Sequence, residues 1–172
     1  FVYGFTERIL SVLDLQDLIH NTFWLGNLGG SWMDAFGKSY TGDVGVWTAL
    51  LSQNLSTTGY GRFITPYYIM NIFAIPGMLV GILSTIADRL TRKRYALFLV
   101  IAILVSVMTG MLWPVELFLV ITAPALFFMH SIALSSLYAI LASMSVTLGY
   151  SYSGTLAYAL PGTIISAIPY LT

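Results

Sequence analysis

The clearest chemical signal in this sequence is a single carboxylate within an apolar segment. From Tyr95 to the end of the chain at Thr172, Glu116 is the only aspartate, glutamate, lysine or arginine. A carboxylate in hydrocarbon costs roughly 2.5 to 10 kcal/mol or more, so such a residue usually has a partner and a function. Two roles remain open for Glu116. It is either an acceptor at a binding site or a structural carboxylate held by backbone N–H groups where the chain turns.

Arg8 is a cation that, like Glu116, needs a partner. An arginine buried beside a membrane cavity needs an acceptor, and we expect either a bound ligand or an acid such as Glu116 itself. Gln16 lies eight residues further on, on nearly the same helix face as Arg8. Gln16 and Asp17 are either polar ligands or solvent-facing groups at a helix end. Glu7 points about 100° away from Arg8, so we do not expect these neighbours to pair.

Composition excludes several classes of site. The chain has no cysteine and only two histidines, so thiolate chemistry and a histidine metal site are not expected. No glycine loop of the phosphate-cradling type is present. Seven basic residues balance seven acidic ones, which gives no reason to expect a nucleic-acid partner. We therefore predict no metal, no cofactor and no catalytic residue in this chain.

Hydropathy indicates a membrane protein. Apolar residues make up 58% of the 172-residue chain and charged residues 8%, against about 25% charged in ordinary soluble domains. The apolar runs are Phe63–Ala87, Tyr95–Met108 and Leu119–Leu148, followed by a tyrosine-rich tail (Tyr150, Tyr152, Tyr158) typical of a membrane interface. Phe63–Ala87 exceeds the roughly 20 residues needed to span a bilayer. Three to five hydrophobic segments are predicted.

Several of these segments are expected to be broken. Pro66 and the Ile75-Pro76-Gly77 step should interrupt the first run, because proline removes a backbone donor and disfavours helix at the residue before it. In TGMLWPVELF, residues 109–118, Gly110, Pro114 and Glu116 resemble the tip of a hairpin that lines a polar cavity. The sequence therefore predicts an all-α integral membrane fold, with multi-span helices and re-entrant hairpins.

Two segments are predicted to lie outside the hydrocarbon. Residues 26–62 are rich in glycine, serine, threonine and asparagine, and a loop of that length is often a lid or gate. The segment DRLTRKR, residues 88–94, holds four of the seven basic residues. A short basic loop between apolar runs is typical of the cytoplasmic side.

Four stretches carry a resemblance to a known family: FVYGFTERIL, LDLQDLIHNTFW, NIFAIPG and the long stretch that begins TGMLWPVELFLVITAPALFFMH. Together, over about residues 1–160, they resemble the second half of the EIIC sugar permease of the bacterial phosphotransferase system, glucose superfamily. The resemblance implies that 1–172 is the C-terminal, transport-domain half of a permease. That half would move like an elevator against a missing N-terminal half, which would form a homodimer. The chain would be multi-pass in the bacterial inner (plasma) membrane.

The resemblance also assigns residues to a sugar site. Arg8 matches an arginine that helps hold the sugar, and Gln16 and Asp17 take the place of a His-His pair. Ile75 lies in a turn whose backbone approaches the substrate. The family pattern G-I-T-E-P-I-E-F is present as Gly110-Met111-Leu112-Trp113-Pro114-Val115-Glu116-Leu117, so Trp113 replaces the first glutamate and Glu116 retains the second. Trp113 is either a platform for the sugar ring or an interfacial anchor.

The implied function is sugar uptake coupled to phosphorylation by an EIIB subunit or domain. The implied sugars are glucose, N-acetylglucosamine, or a disaccharide or glucoside. An alternative is a degenerate paralogue that acts as a sensor, a scaffold or a non-phosphorylating carrier. The alternative rests on Trp113 and Gln16, because a carboxylate accepts hydrogen bonds from two hydroxyls whereas an indole only donates one.

Overall fold

The computed structural model describes residues 1–149 and 162–167, and the tail tyrosines named above lie outside them. The described chain is mostly helical, as predicted. Its α-helices are α1 (Val2–Ser11), α2 (Asp17–His20), α3 (Asp43–Ser52), α4 (Thr65–Ile69), α5 (Ile75–Thr85), α6 (Arg89–Thr109), α7 (Trp113–Thr122), α8 (Pro124–Ser143) and α9 (Ile164–Ala167). Two strands, β1 (Ser31–Met33) and β2 (Ser39–Thr41), are also present, so the described fold is not purely α-helical.

The chain divides into two compact units. The first contains Phe1–Pro66 with Glu116–Tyr150, and the second contains Tyr67–Val115 with Ser151–Thr172. In the first unit, α1 packs against α8. The contact is close at Gly4, where an added Cβ would lie 2.4 Å from the Tyr138 ring. Any larger residue at position 4 would therefore displace the Tyr138 ring or shift the two helices.

Residues 26–62 contain more regular structure than the predicted loop. β1 and β2 pair antiparallel, with Trp32 opposite Tyr40. The intervening turn is held by the Asp34 carboxylate, which accepts hydrogen bonds from the backbone N–H groups of Phe36 and Lys38, each at 2.9 Å. α3 follows with Trp47 only 4% exposed. Strands of three residues between glycines give too short a pattern to distinguish from a loop, which is why the sequence did not predict them.

In the second unit, the chain stays helical through Ile75-Pro76-Gly77. The prediction of a break at this step was therefore wrong. A π-helical turn at Met70–Ala74 lies between α4 and α5, and the Ile75 N–H bonds to the carbonyl of Met70. The wider turn accommodates a proline, which has no N–H to offer and clashes with a carbonyl in an ordinary helix. Pro66, likewise, lies within α4.

The carbonyl of Asn71, five residues before Pro76, accepts a hydrogen bond from another helix. The Ser106 hydroxyl of α6 donates to it at 3.3 Å, and Ser106 is fully buried. Pro76 has no N–H with which to make this bond within the turn. α6 therefore packs on α5 with a polar contact at the site of the proline.

Both ends of α6 are capped. Asp88 caps the first turn by accepting a 2.7 Å hydrogen bond from the Thr91 N–H. Hydrogen bonds from the side chain and backbone of Thr91 hold the pKa of Asp88 below its usual range. Gly110 ends the helix in the left-handed conformation, with φ of 72°. Met111 and Leu112 separate Gly110 from the start of α7, so the predicted tip at 110–116 is a short connection followed by a helix.

Two helical stretches among the described residues are long and apolar enough to cross a membrane: Thr65–Thr85 and Pro124–Ser143. The first includes α4, the π-helical turn and α5, and the second is α8. α6 has 21 residues, but its first turns carry the basic cluster. α7, with 10 residues, is a shorter apolar helix.

Candidate functional site

Arg8 and Glu116 form a buried ion pair in the first unit. Nη1 of Arg8 lies 2.7 Å from Oε1 of Glu116, and the two side chains are 2% and 0% exposed. α1 supplies the arginine, and the first turn of α7 supplies the acid, where the helix dipole favours a negative charge. Glu116 was one of the two acceptors considered for Arg8, and the structure pairs it with the arginine.

The Glu116 carboxylate is held by side chains, whereas backbone N–H groups were the structural alternative. The Ser11 hydroxyl of α1 donates to Oε2, the oxygen that Arg8 does not contact. Nε2 of His130, from α8, lies 3.8 Å from Oε1. Three helices thus converge on this acid, and it has no exposed surface.

Glu7 is a second buried carboxylate in the same cluster, and the sequence reasoning missed it. Nη2 of Arg8 lies 3.3 Å from Oε2 of Glu7, so the expectation that these neighbours do not pair was wrong. The i, i+4 rule concerns side chains that lie side by side on a helix, whereas the long arginine side chain brings its guanidinium group back to its neighbour. One guanidinium therefore bridges two fully buried carboxylates.

Hydroxyl and imidazole groups complete the surroundings of Glu7. Tyr138 donates to Oε2 at 2.8 Å and Tyr3 to Oε1 at 3.2 Å. Nε2 of His20 lies 2.5 Å from Oε1, and the other ring nitrogen lies 3.7 Å from the exposed carboxylate of Asp17. The sequence held one usable signal, because Tyr3 and Glu7 are four residues apart and share a helix face.

Aromatic rings form one side of this cluster. The His20 ring stacks on Trp24, with centroids 4.0 Å apart, and the Trp24 indole donates to the Tyr3 hydroxyl at 2.9 Å. Phe63 lies against Tyr3 at 4.6 Å between centroids. Carboxylates and a guanidinium beside aromatic faces offer both hydrogen-bonding groups for hydroxyls and an apolar face for a ring.

The other predicted site residues are less closely tied to the ion pair. Gln16 is half-buried and donates to the Asp14 carboxylate at 3.2 Å, while Asp17 is 82% exposed and reaches the cluster only through His20. Ile75 is fully buried at the start of α5, and Trp113 is 38% exposed at the start of α7. Ile75 and Trp113 belong to the second unit, and Arg8 and Glu116 belong to the first.

Within residues 1–149 and 162–167, no group of three or more histidine, aspartate or glutamate side chains is arranged to hold a metal ion. Glu7, Arg8 and Glu116 offer hydrogen bonding and ion pairing. Breaking either carboxylate contact would leave a buried charge without its partner, which is costly.

Comparison with known proteins identifies relatives of this chain. It is 30% identical over 150 residues to the PTS system glucose-specific EIICBA component of Staphylococcus saprophyticus. It is 29% identical over the same length to the protein of that name from Staphylococcus carnosus. Each match covers 87% of this chain. The chain is related to the glucose-type phosphotransferase system permeases. No family model matches the sequence.

The match covers only part of the length of these permeases. The aligned segment covers 22% of each Staphylococcus protein, so the chain spans about a fifth of the length of the relatives it matches.

Proposed function

We propose that this chain is the transport domain of a phosphotransferase system sugar permease. It would carry a sugar inward across the bacterial inner membrane, and an EIIB subunit or domain would phosphorylate that sugar. The buried ion pair of Arg8 and Glu116 is the observation that carries the proposal. It joins two of the six residues that the family resemblance assigns to the sugar site, although they are 108 positions apart in the chain.

Membrane insertion is supported by composition and by the two long apolar helices. The proposal adds that the chain crosses the membrane several times, with the connection at 110–112 as part of a re-entrant hairpin. Residues 26–62 would lie outside the bilayer, where β1, β2 and α3 would form a lid. The transport domain would move like an elevator against a scaffold half, through which two copies would form a homodimer.

In the proposed mechanism, the cluster exchanges internal hydrogen bonds for bonds to sugar hydroxyls. Arg8 would donate to a hydroxyl and Glu116 would accept from one, while Gln16, Asp17, the backbone at Ile75 and the Trp113 ring would complete the site. Glu7 would stay bonded to Arg8 and keep the guanidinium in place. Phosphoryl transfer would need no catalytic residue in this chain, because the EIIB partner carries the phosphoryl group.

The name of the Staphylococcus relatives makes glucose the first sugar to test. The protein would be reconstituted in lipid nanodiscs, and glucose, N-acetylglucosamine, maltose and a β-glucoside would be titrated calorimetrically. Glu116→Gln keeps the shape but removes the charge, and we expect its affinity for the best sugar to fall at least about tenfold, because a charge-assisted bond contributes about 1.5–3 kcal/mol. Lys38→Gln, at an exposed position in the β1–β2 turn, is the control and should bind as the parent does.

Saturable binding that Glu116→Gln weakens and Lys38→Gln does not would support the proposal. If none of the four sugars binds to protein that is folded by circular dichroism, the carrier proposal is rejected. Binding without any loss in Glu116→Gln would remove the ion pair from the sugar site.

A second candidate, the degenerate paralogue, is favoured by Trp113 and Gln16. The family pattern has glutamate and histidine at these positions, and the Gln16 amide is already bonded to Asp14. Phosphorylation would be measured with an EIIB domain from one of the Staphylococcus relatives. If Trp113→Glu with Gln16→His creates sugar phosphorylation that the parent lacks, the paralogue proposal holds. If the parent already phosphorylates the sugar, it fails.

A further inference from the structure

The charged residues of the second unit are confined to one end of one helix. Between Tyr67 and Val115 they are one acid, Asp88, and four bases, Arg89, Arg92, Lys93 and Arg94, and residues 151–172 add none. Four minus one gives this unit a formal charge of +3. All four bases are exposed, and Asp88 is occupied as the cap of α6. Apart from Asp88, the unit contains no acidic side chain that could offset the charge of this basic end.

A stripe of exposed apolar side chains continues along the same helix. Its members are separated by four, three and four residues, so they share one face of α6. The stripe consists of Leu97 (69% exposed), Ile101 (51%), Leu104 (56%) and Met108 (45%). Leu99, Ala102 and Ser106, which are buried, lie on the opposite face, towards α5. The apolar stripe is thus the outward face of the helix.

The basic end and the stripe meet at Lys93 and Arg94. Arg94 comes three residues before Leu97 and so lies on the same face, and Lys93 flanks it about 100° around the helix. Arg92 points elsewhere, since its Nε donates to the carbonyl of Ile86 at 2.8 Å. From Arg94 to Met108 the helix rises about 21 Å, which exceeds the roughly 15 Å half-thickness of the hydrocarbon core.

We propose that this face of α6 is a binding site for an anionic phospholipid. The headgroup phosphate would bond to Lys93 and Arg94, and one acyl chain would lie along the stripe from Leu97 to Met108. Both side chains have long flexible stems that can reach from a helix in hydrocarbon to the headgroup level. Neighbouring cations would attract anionic over zwitterionic lipid, each by about fivefold in affinity.

A soluble protein partner such as an EIIB domain is the competing occupant of the basic end. The lipid is favoured because the cations continue directly into an exposed apolar stripe at helical spacing. A domain docking from the aqueous side would meet the cations and leave the stripe uncovered. A phospholipid has a phosphate at one end and an apolar chain at the other, and so matches both parts in the observed order.

The test counts lipids bound to the full chain by native mass spectrometry in detergent. Phosphatidylglycerol is the anionic probe, phosphatidylcholine the zwitterionic one, and inorganic phosphate the free-anion probe. Lys93→Gln with Arg94→Gln should weaken phosphatidylglycerol binding about 25-fold, from two cations at about fivefold each. Glutamine is a good helix former, so α6 should persist. Lys38→Gln with Arg62→Gln removes the same charge from exposed positions in the first unit and should leave binding within about twofold of the parent.

Asp88→Asn provides a change in the opposite direction. Asparagine still caps the helix, but the basic end gains one unit of net charge, so phosphatidylglycerol should bind more tightly. The preference should fade at about 1 M salt, where the screening length is about 3 Å. These results together would establish the site.

Several results would overturn it. Equal losses in the two double variants would mean that only total charge matters, and equal retention of the two lipids would mean that no headgroup is recognised. Displacement of phosphatidylglycerol by millimolar inorganic phosphate would assign the cations to a free anion. An EIIB domain that binds the parent but not Lys93→Gln with Arg94→Gln, while lipid retention is unchanged, would assign them to protein docking.

Discussion

Replacing Arg8 tests the buried cluster most directly, because one guanidinium serves two acids. Methionine at this position keeps much of the length of the stem and removes the charge. The variant would leave Glu7 and Glu116, both fully buried, without their shared cation. Breaking a buried ion pair costs about 3–5 kcal/mol, because an uncompensated charge stays behind. Arg8→Met should therefore raise the unfolding equilibrium constant by roughly two to three and a half powers of ten.

A double-mutant cycle separates the ion pair from simple loss of packing. Glu116→Gln alone should also destabilise the protein, since Arg8 then keeps only its 3.3 Å contact with Glu7. In the double variant the remaining acid has the Tyr3, Tyr138 and His20 contacts, so the second change should cost less than it does alone. We expect a coupling energy of about 1–3 kcal/mol, in the range found for residues in contact.

The assay is reversible unfolding in mixed detergent micelles, followed by circular dichroism. Arg62→Met is the matched control, because Arg62 is exposed and lies in the same unit. It should change the free energy of unfolding by no more than about 0.5 kcal/mol. A loss below about 1 kcal/mol for Arg8→Met, or additive effects in the cycle, would contradict the reasoning that the cluster holds α1, α7 and α8 together.

Three further predictions concern other parts of the fold. Gly4→Ala should destabilise by about 1–3 kcal/mol in denaturant titrations through overpacking, whereas Gly45→Ala, where an added Cβ meets nothing within 4 Å, should be neutral or stabilising. Ser106→Ala should cost about 0.5–1.5 kcal/mol through the loss of its hydrogen bond to the Asn71 carbonyl, and adding Pro76→Ala, which restores an N–H, should recover part of the loss; no recovery would disprove the link. Folding lowers the pKa of Asp88, so its capping contribution should be complete above the ordinary aspartate pKa of about 3.9. The contribution should fade as the pH falls through the lower folded value. Helix content measured by circular dichroism should show this pH dependence, and Asp88→Asn should abolish it.

The ion pair could be anticipated from the sequence because each member posed the same problem. A lone acid and a lone arginine in apolar surroundings each require a partner, and few candidates exist in a chain with 8% charged residues. The role of Glu7 could not be anticipated, because it depends on how the arginine side chain bends and on Tyr138 arriving from α8. Neither is encoded in local spacing.

At Ile75-Pro76-Gly77, the local sequence rule gave the wrong prediction. Pro76 disfavours an ordinary helix, and that local rule predicted a break. The structure instead widens one turn and supplies a serine hydroxyl from α6 to the carbonyl of Asn71. A tertiary contact of this kind is invisible in a window of sequence around the proline. The short strands at residues 31–41 were missed for a related reason, because their pairing depends on a turn organised by one aspartate.

The widened turn at Met70–Ala74 also determines where the chain can lose a residue. An ordinary helix rotates about 100° per residue, so a deletion elsewhere between Thr65 and Thr85 would turn one stretch relative to the other by that amount. A deletion within the widened turn, made together with Pro76→Ala, would restore regular winding and leave both stretches facing as they do now. Within this helical stretch, the widened turn is therefore the position where the loss of one residue would change the relative orientation of the two parts least.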